Sequence, residues 1–348
     1  MSTQTVAVSA RSFRLQLQQR FGNSLAILLL LLGAFVVIHA ALPRGGTFFA
    51  QTIIDGLTNG GIYALIALGY TMVYGIIELI NFAHGDVFTA GGFIGLAVMG
   101  ALGLTQNNVN NIHLALGLLA LFVIAMVITG VVNIGIERVA YRPLRNAPRV
   151  APLITAVGMS FVLEGLMYIF EGPSNVTYPD LLPDVSLNLG PLAIGSKQVF
   201  VIGTAVLLTL ALTAFINGSK LGKAMRATAQ DRDASALMGI DINRTISATF
   251  FIGAVLAAAG GIIFGLYYNT IRFDLGYQVG LYAFTAAVFG GIGNIYGAAL
   301  GGLFIGVVQA FSDSYGSHEW TGIYIFGILI LVLVFRPTGL LGMRVPEK

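Results

Sequence analysis

The sequence predicts an all-α polytopic membrane protein of about eight transmembrane helices, with a broken re-entrant helix pair near 281–311. Three observations predict it. The 348 residues are 56% hydrophobic and 9% charged, against roughly 25% charged in a soluble domain, so lipid must solvate most of the chain. Apolar runs recur at 25–42, 52–77, 86–104, 113–135, 151–170, 198–216, 246–268, 281–311 and 320–335, and about 20 apolar residues in a helix cross the hydrocarbon core. Fifteen of the eighteen Lys and Arg residues fall in four stretches between or beyond those runs, and the positive-inside rule puts all four in the cytoplasm.

Taken in order, Arg11, Arg14 and Arg20 precede the run 25–42. Ile38 and His39 stand where a signal-peptide cleavage site wants small residues, so this run reads as a retained first helix behind a cytoplasmic extension at 1–24. One transmembrane domain then occupies 25–338. The uncharged connector Gln106 to Asn111 comes out external. Arg138, Arg142, Arg145 and Arg149 mark the next cytoplasmic connector, and the acidic segment around Glu171, Asp180 and Asp184 is external again. Lys220, Lys223, Arg226, Arg232 and Arg244 lie in a cytoplasmic loop at 218–245. Arg336, Arg344 and Lys348 end the chain inside, with a tail at 339–348.

Parity then points at 281–311. Arg272 and Asp274 lie outside and Arg336 inside, yet two full crossings return a chain to the side it left. The run 281–311 is interrupted by Gly290, Gly291 and Gly293. It therefore predicts two short helices that dip in and return, with a non-helical turn that protein or water must surround. Gly293, Gly297 and Gly301 also recur every fourth residue, a face on which helix backbones approach closely. Ordinary packing is the plain reading of each glycine, and a hinge or pathway role is the sharper one.

Several classes are excluded. There is no cysteine, hence no disulfide or thiolate ligand. His39, His84, His113 and His318 are scattered without metal-ligand spacing, so no metal site is expected. The phosphate-loop pattern GxxxxGK[ST] is missing, so any ATP is hydrolysed by another polypeptide and no cofactor belongs to this chain. A net charge of +3, confined to loops, suits anionic headgroups of the bilayer and not nucleic acid.

Three constellations remain. Gly222 to Asp241 is a connector with a helical pattern of its own: Ala224, Ala227, Ala234 and Leu237 form an apolar strip beside Arg226, Asp231, Arg232 and Asp233. Such a helix lies on headgroups or inserts into a partner's groove; its alanines, which bury little area in lipid, favour the partner. Asn81, His84 and Asp86 flank a turn between two apolar runs, with Glu78 one turn earlier. At the interface Asp86 would only complement the following helix dipole; at depth, where ionisable groups are costly, these residues would line or gate a path. Glu164 sits inside an apolar run, either paired within the bundle or placed on a path or dimer interface.

These residues reach a known family. The loop resembles the coupling segment of bacterial ABC importer permeases. Five motifs together resemble the permeases for branched-chain and other hydrophobic amino acids, of the LivH type. They are NFAHGD at Asn81–Asp86, ERVAYRPLR at Glu137–Arg145, the loop itself, FGGIGNIYGAALGG at Phe289–Gly302 and FRPTGLLG at Phe335–Gly342. They cover about residues 50–342. The resemblance implies a permease subunit of the bacterial inner membrane, with both termini cytoplasmic. ABC ATPase subunits, a second permease subunit (identical or homologous) and an external substrate-binding protein would complete it. The cargo would be a branched-chain or other hydrophobic amino acid, although relatives in the family carry urea and short amides. It implies ATPase-coupling contacts at Ala224, Arg226, Ala229, Asp231, Ala234, Leu237 and Gly239, and a path past Asn81, His84, Asp86 and Glu164.

Two rivals stand beside this. Gly158, Met159 and Ser160 form the GxS pattern of some intramembrane serine proteases, which would need His84 or His113 as base. A stand-alone ion-coupled transporter fits the glycine break at 290–293 but leaves the alanine-rich cytoplasmic helix without a purpose.

Overall fold

The computed structural model describes residues 45–342 apart from 78–79, 105–110, 146, 149 and 191. The expected first helix at 25–42, the extension before it, Glu78, Arg149 and the end of the C-terminal tail lie outside the described residues. Eleven α-helices are described: α1 (Gly46–Ile77), α2 (His84–Ala101), α3 (Asn111–Ile136), α4 (Val150–Glu171), α5 (Ser196–Gly218), α6 (Lys220–Gln230), α7 (Arg232–Leu237), α8 (Ile242–Tyr268), α9 (Leu275–Gly290), α10 (Ile295–Tyr315) and α11 (His318–Phe335). Seven of these, α1, α3, α4, α5, α8, α10 and α11, are long and apolar enough to cross a membrane.

Side-chain size decides which helices are central. α1 and α8 are rich in Gly and Ala and are mostly buried, whereas α3, α4, α5 and α11 bury only a minority of their apolar residues. In lipid, packing between helices replaces water expulsion as the driving force, so small residues go to helix interfaces and Leu, Ile and Val face outward. α1 packs most extensively on α10. A Cβ on Gly56 would come within 2.7 Å of the Val307 Cα, and one on Gly60 within 2.6 Å of the Leu303 Cα.

The two ends of the bundle differ in charge. At one end Arg232 Nη2 donates to the Ile76 carbonyl (2.8 Å) and Arg145 Nη1 to Asn243 Oδ1 (2.6 Å), so the stretches 138–145 and 220–244 converge on the end of α1. At the other end β1 (Val176–Thr177) pairs antiparallel with β4 (Thr270–Ile271), β2 (Ser186–Leu189) pairs with β3 (Leu192–Gly195), and Lys197 bridges Asp180 at 2.9 Å.

The break expected within 281–311 is present at Gly291–Asn294, but the helices around it are unequal and longer than expected. α9 begins at Leu275 and has 16 residues; α10 runs to Tyr315 with 21. The turn is held by FRPTGLLG: Leu340 N–H donates to the Phe289 carbonyl (2.8 Å), Leu341 N–H to the Gly290 carbonyl (2.9 Å), and Asn294 Nδ2 to the Leu341 carbonyl (2.8 Å). It therefore sits beside the chain leaving α11, at the basic end. The helix shortened within the bundle is α9, about 24 Å long against a core of about 30 Å. α2 is the second short helix: the apolar run 86–104 reads in the sequence as a full crossing, yet its 18-residue helix starts inside the bundle.

Candidate functional site

The starts of the two short helices come together. Gly85 in the first turn of α2 lies against Gly276 and Gly280 of α9, where a Cβ would meet the Gly280 Cα at 2.8 Å. His84 reaches Gly69 of α1 and Gly253 of α8. Gly69 is eight residues, about 12 Å, from the basic end of α1, and Gly253 is about 16 Å along α8 from the same end. The NFAHGD turn is therefore deep in the bundle and not at its basic end.

Asn81, His84 and Asp86 are 3%, 0% and 0% exposed. The local backbone shapes the turn: His84 N–H donates to the Asn81 carbonyl (3.1 Å) and Val87 N–H to the Ala83 carbonyl (3.0 Å). Tyr141 donates its hydroxyl to Asn81 Oδ1 at 2.6 Å, joining two of the five motifs. The Ser160 hydroxyl donates to Asp86 Oδ2. His84 packs edge-on against Tyr70, ring centroids 4.8 Å apart, and neither of its ring nitrogens has a hydrogen-bond partner among the described residues. Asp86 Oδ1 and Asn81 Nδ2 are also buried without partners. An unsatisfied buried polar atom costs about 1–3 kcal/mol, and four such atoms, Asn81 Nδ2, both His84 nitrogens and Asp86 Oδ1, fall within this one turn.

α4 touches the bundle along a narrow stripe, Pro152, Ala156, Ser160, Leu163 and Met167, at spacings of three and four residues. Glu164 follows Ser160 by one turn, is half-buried, and is close enough to Asp86 to repel its charge. Asp86, Ser160 and Glu164 thus form one polar cluster, whereas His84 turns toward Tyr70. The serine-protease pattern fails on this geometry: Ser160 engages a carboxylate and His84 points elsewhere. The side chain of His113 lies outside the described residues.

The ERVAYRPLR segment turns through a π-helical stretch, Glu137–Tyr141, which suits a helix re-aimed at a functional site. Glu137 is fully buried and is held by Arg145 and by Ser247 Oγ at 2.6 Å. Burial lowers the Arg145 guanidinium below its ordinary range, opposed by the Glu137 charge.

The 218–245 loop forms two helices where the sequence suggested one. Asp231 is extended (φ −154°, ψ 113°) and caps α7, accepting from the N–H groups of Asp233 (2.9 Å) and Ala234 (3.0 Å), the usual way such a residue starts a helix. α6 buries Gly222, Met225 and Thr228; Ala229, Ala234 and Gly239 are exposed and Ala224 is partly so. The apolar strip is thus not the face that packs on the bundle. Arg226 folds back on the Ile216 carbonyl at the end of α5, which ties the loop to a long helix. Leu237 and Met238 are 89% and 83% exposed.

The candidate glycines divide by cause. Gly290, Gly297 and Gly301 lie where α9 and α10 touch: any Cβ would strike the backbone of Gly297, Gly290 or Ala286 respectively. Gly291 and Gly293 instead adopt φ of +109° and +92° in the turn, which L side chains rarely tolerate. Sequence reasoning missed Tyr141, Tyr70 and Met238. It also missed Ser160 as a partner of Asp86, since a hydroxyl in an apolar run names no partner. The Gly56/Gly60 and Gly302/Gly306 faces were readable, being spaced four apart. Among the described residues no group of three or more His, Cys, Asp or Glu side chains could hold a metal ion.

Comparison with known proteins agrees with these motifs. Residues 52–333 match the model of the family described as branched-chain amino acid transport system / permease component. The chain is 42% identical over 307 residues to the high-affinity branched-chain amino acid transport system permease protein BraD of Pseudomonas aeruginosa, covering 86% of this chain and 98% of the relative. It is 42% identical over 306 residues to the permease protein LivH of Escherichia coli (strain K12), with the same shares covered. At 25% identity over 318 residues it is similar to the autoinducer 2 import system permease protein LsrC of Enterobacter sp., covering 89% and 84% of the two chains. No solved structure matches the chain.

Proposed function

The chain belongs to the family of permease components of branched-chain amino acid transport systems, and from that premise we propose that it moves branched-chain and other hydrophobic amino acids across the bacterial inner membrane. It is a multi-pass transport subunit of an ABC importer and not an enzyme. In this reading the basic end faces the cytoplasm, with both termini on that side. ATPase subunits seat on α6 and α7, a second permease subunit completes the pore, and an external binding protein delivers the cargo.

One observation supports the path reading above the others: two short helices start deep in the bundle, side by side, next to a buried carboxylate. Interrupted helices of this kind place their positive N-terminal ends near anionic substrate groups. The ends of α2 and α9 suit the carboxylate of an amino acid, and Asp86 with Glu164 suits its ammonium group. With Gly85 against Gly276 and Gly280 the junction is closed to a solute. Transport then requires α2 and α9 to part. Movement of the ATPases supplies this through α7, whose Arg232 holds the end of α1, and through Asp241, which caps α8 where the loop ends.

The test is uptake of radiolabelled leucine into proteoliposomes holding the chain with its second permease, ATPase and binding protein. Uptake that requires ATP on the basic-end side and is competed by isoleucine and valine, but not by urea, supports this reading. Leucine uptake by the chain alone, driven by an ion gradient, contradicts it.

A further inference from the structure

Between the basic ends of α3, α5 and α8 lies a cavity of about 700 Å³ that the transport path does not use. Arg138, Arg142 and Arg244 line it together with the apolar Phe215, Leu221 and Phe251. Asp241, the one acid among its lining residues, already pairs with Arg244 at 3.1 Å. Arg138 and Arg142 are exposed, and neither has an ion-pair partner among the described residues. The cavity therefore carries a net positive charge beside aromatic and aliphatic walls. Farther along α3 and α5, Val131, three and seven residues before the lining Ile134 and Arg138, is 58% exposed, and Leu208, seven residues before the lining Phe215, is half-buried, so an apolar surface continues from the cationic mouth into the depth of the bilayer.

We propose that this cavity holds the headgroup of an anionic phospholipid of the cytoplasmic leaflet, with its acyl chains along α3 and α5. The charge matches a phosphodiester and the walls match the glycerol and first methylenes; basic pockets between helices at this level recognise such headgroups. A free inorganic anion would leave the apolar walls unused. The bound lipid bridges α3, α5 and the start of α8, the helix that leaves the α6–α7 loop, and so steadies the frame against which that loop moves.

The experiment is native mass spectrometry of the purified full-length chain in an uncharged detergent, titrated with phosphatidylglycerol, phosphatidylcholine or inorganic phosphate. The wild type is expected to retain phosphatidylglycerol in preference to phosphatidylcholine. Each cation near an anionic headgroup contributes about fivefold in affinity, so Arg138→Gln with Arg142→Gln weakens retention about 25-fold. Lys220→Gln with Lys223→Gln, which removes two exposed cations of the same end from outside the cavity, leaves it within about twofold. Unchanged thermal unfolding of both variants in phosphatidylcholine shows that the fold is intact. Equal losses in the two variants would mean a diffuse headgroup attraction and overturn the proposal, as would displacement of the lipid by millimolar phosphate. Full phosphatidylglycerol retention by Arg138→Gln/Arg142→Gln, with loss of the copurifying ATPase, would assign the cavity to a protein partner and also overturn it.

Discussion

Replacing Asp86 separates its structural from its transport role. Asp86 is fully buried, takes one hydrogen bond from Ser160 through Oδ2, and has Glu164 close by. Asp86→Asn keeps an oxygen for Ser160, exchanging a charge-assisted bond for a neutral one and removing the repulsion from Glu164. Its net effect on stability should stay within about 1.5 kcal/mol. Ser160→Ala removes the donor and leaves a buried carboxylate with neither oxygen bonded, at about 1.5–3 kcal/mol. If the carboxylate attracts the substrate ammonium, the asparagine forfeits that same charge-assisted interaction during passage, equivalent to about 10–150-fold in rate. The assay is leucine uptake in cells lacking their own branched-chain importer, alongside membrane level and thermal unfolding of each variant. The expected pattern is Asp86→Asn near-normal in stability and at least tenfold slower in uptake, and Ser160→Ala less stable with uptake better preserved per folded molecule. Wild-type uptake by Asp86→Asn would refute the path role and leave the carboxylate as the anchor of α4.

Other outcomes follow from the same geometry. Gly297→Val drives a branched side chain into the backbone of Gly290 and should cost about 1–3 kcal/mol by overpacking, whereas Gly158→Ala faces open space and should be neutral or gain about 0.5–1 kcal/mol; thermal unfolding in detergent compares them. Arg145→Ala leaves buried Glu137 without its cation and should destabilise by about 3–5 kcal/mol, most of it recovered when Glu137→Gln is added, as measured by the same unfolding. Leu237→Glu should insert and unfold normally, since the side chain is 89% exposed, yet lose ATPase stimulation; normal stimulation would remove Leu237 from the docking surface. Ala229→Arg is a better test of that surface than any change at Gly239, whose φ of +83° penalises every side chain.

Much of this arrangement is legible in the sequence because lipid enforces it. The placement of Lys and Arg picks out one end of the bundle, and the glycine run at 290–293 marks a break, since both follow from composition alone. Depth is not legible: NFAHGD reads the same at an interface as deep in the bundle, and only its neighbours Gly69, Gly253 and Gly276 place it. The early starts of α2 and α9 were missed because apolar runs show where lipid-compatible residues lie, not where a helix begins. The division of the loop into α6 and α7 turns on Asp231, a residue equally at home as a cap or on a polar helix face.

The docking of the α6–α7 segment on a separate ATPase is the claim on which the mechanism rests, and the absence of cysteine from the chain makes a direct measurement clean. Leu237→Cys at the exposed end of α7 and Leu187→Cys, 60% exposed in the β2–β3 hairpin at the other end of the bundle, are each treated with a short thiol crosslinker in membranes containing the whole importer. A covalent product between the Leu237→Cys chain and the ATPase subunit is expected, and none from Leu187→Cys. Leu237→Cys that reacts only with a membrane-impermeant thiol reagent added from the outside would contradict it.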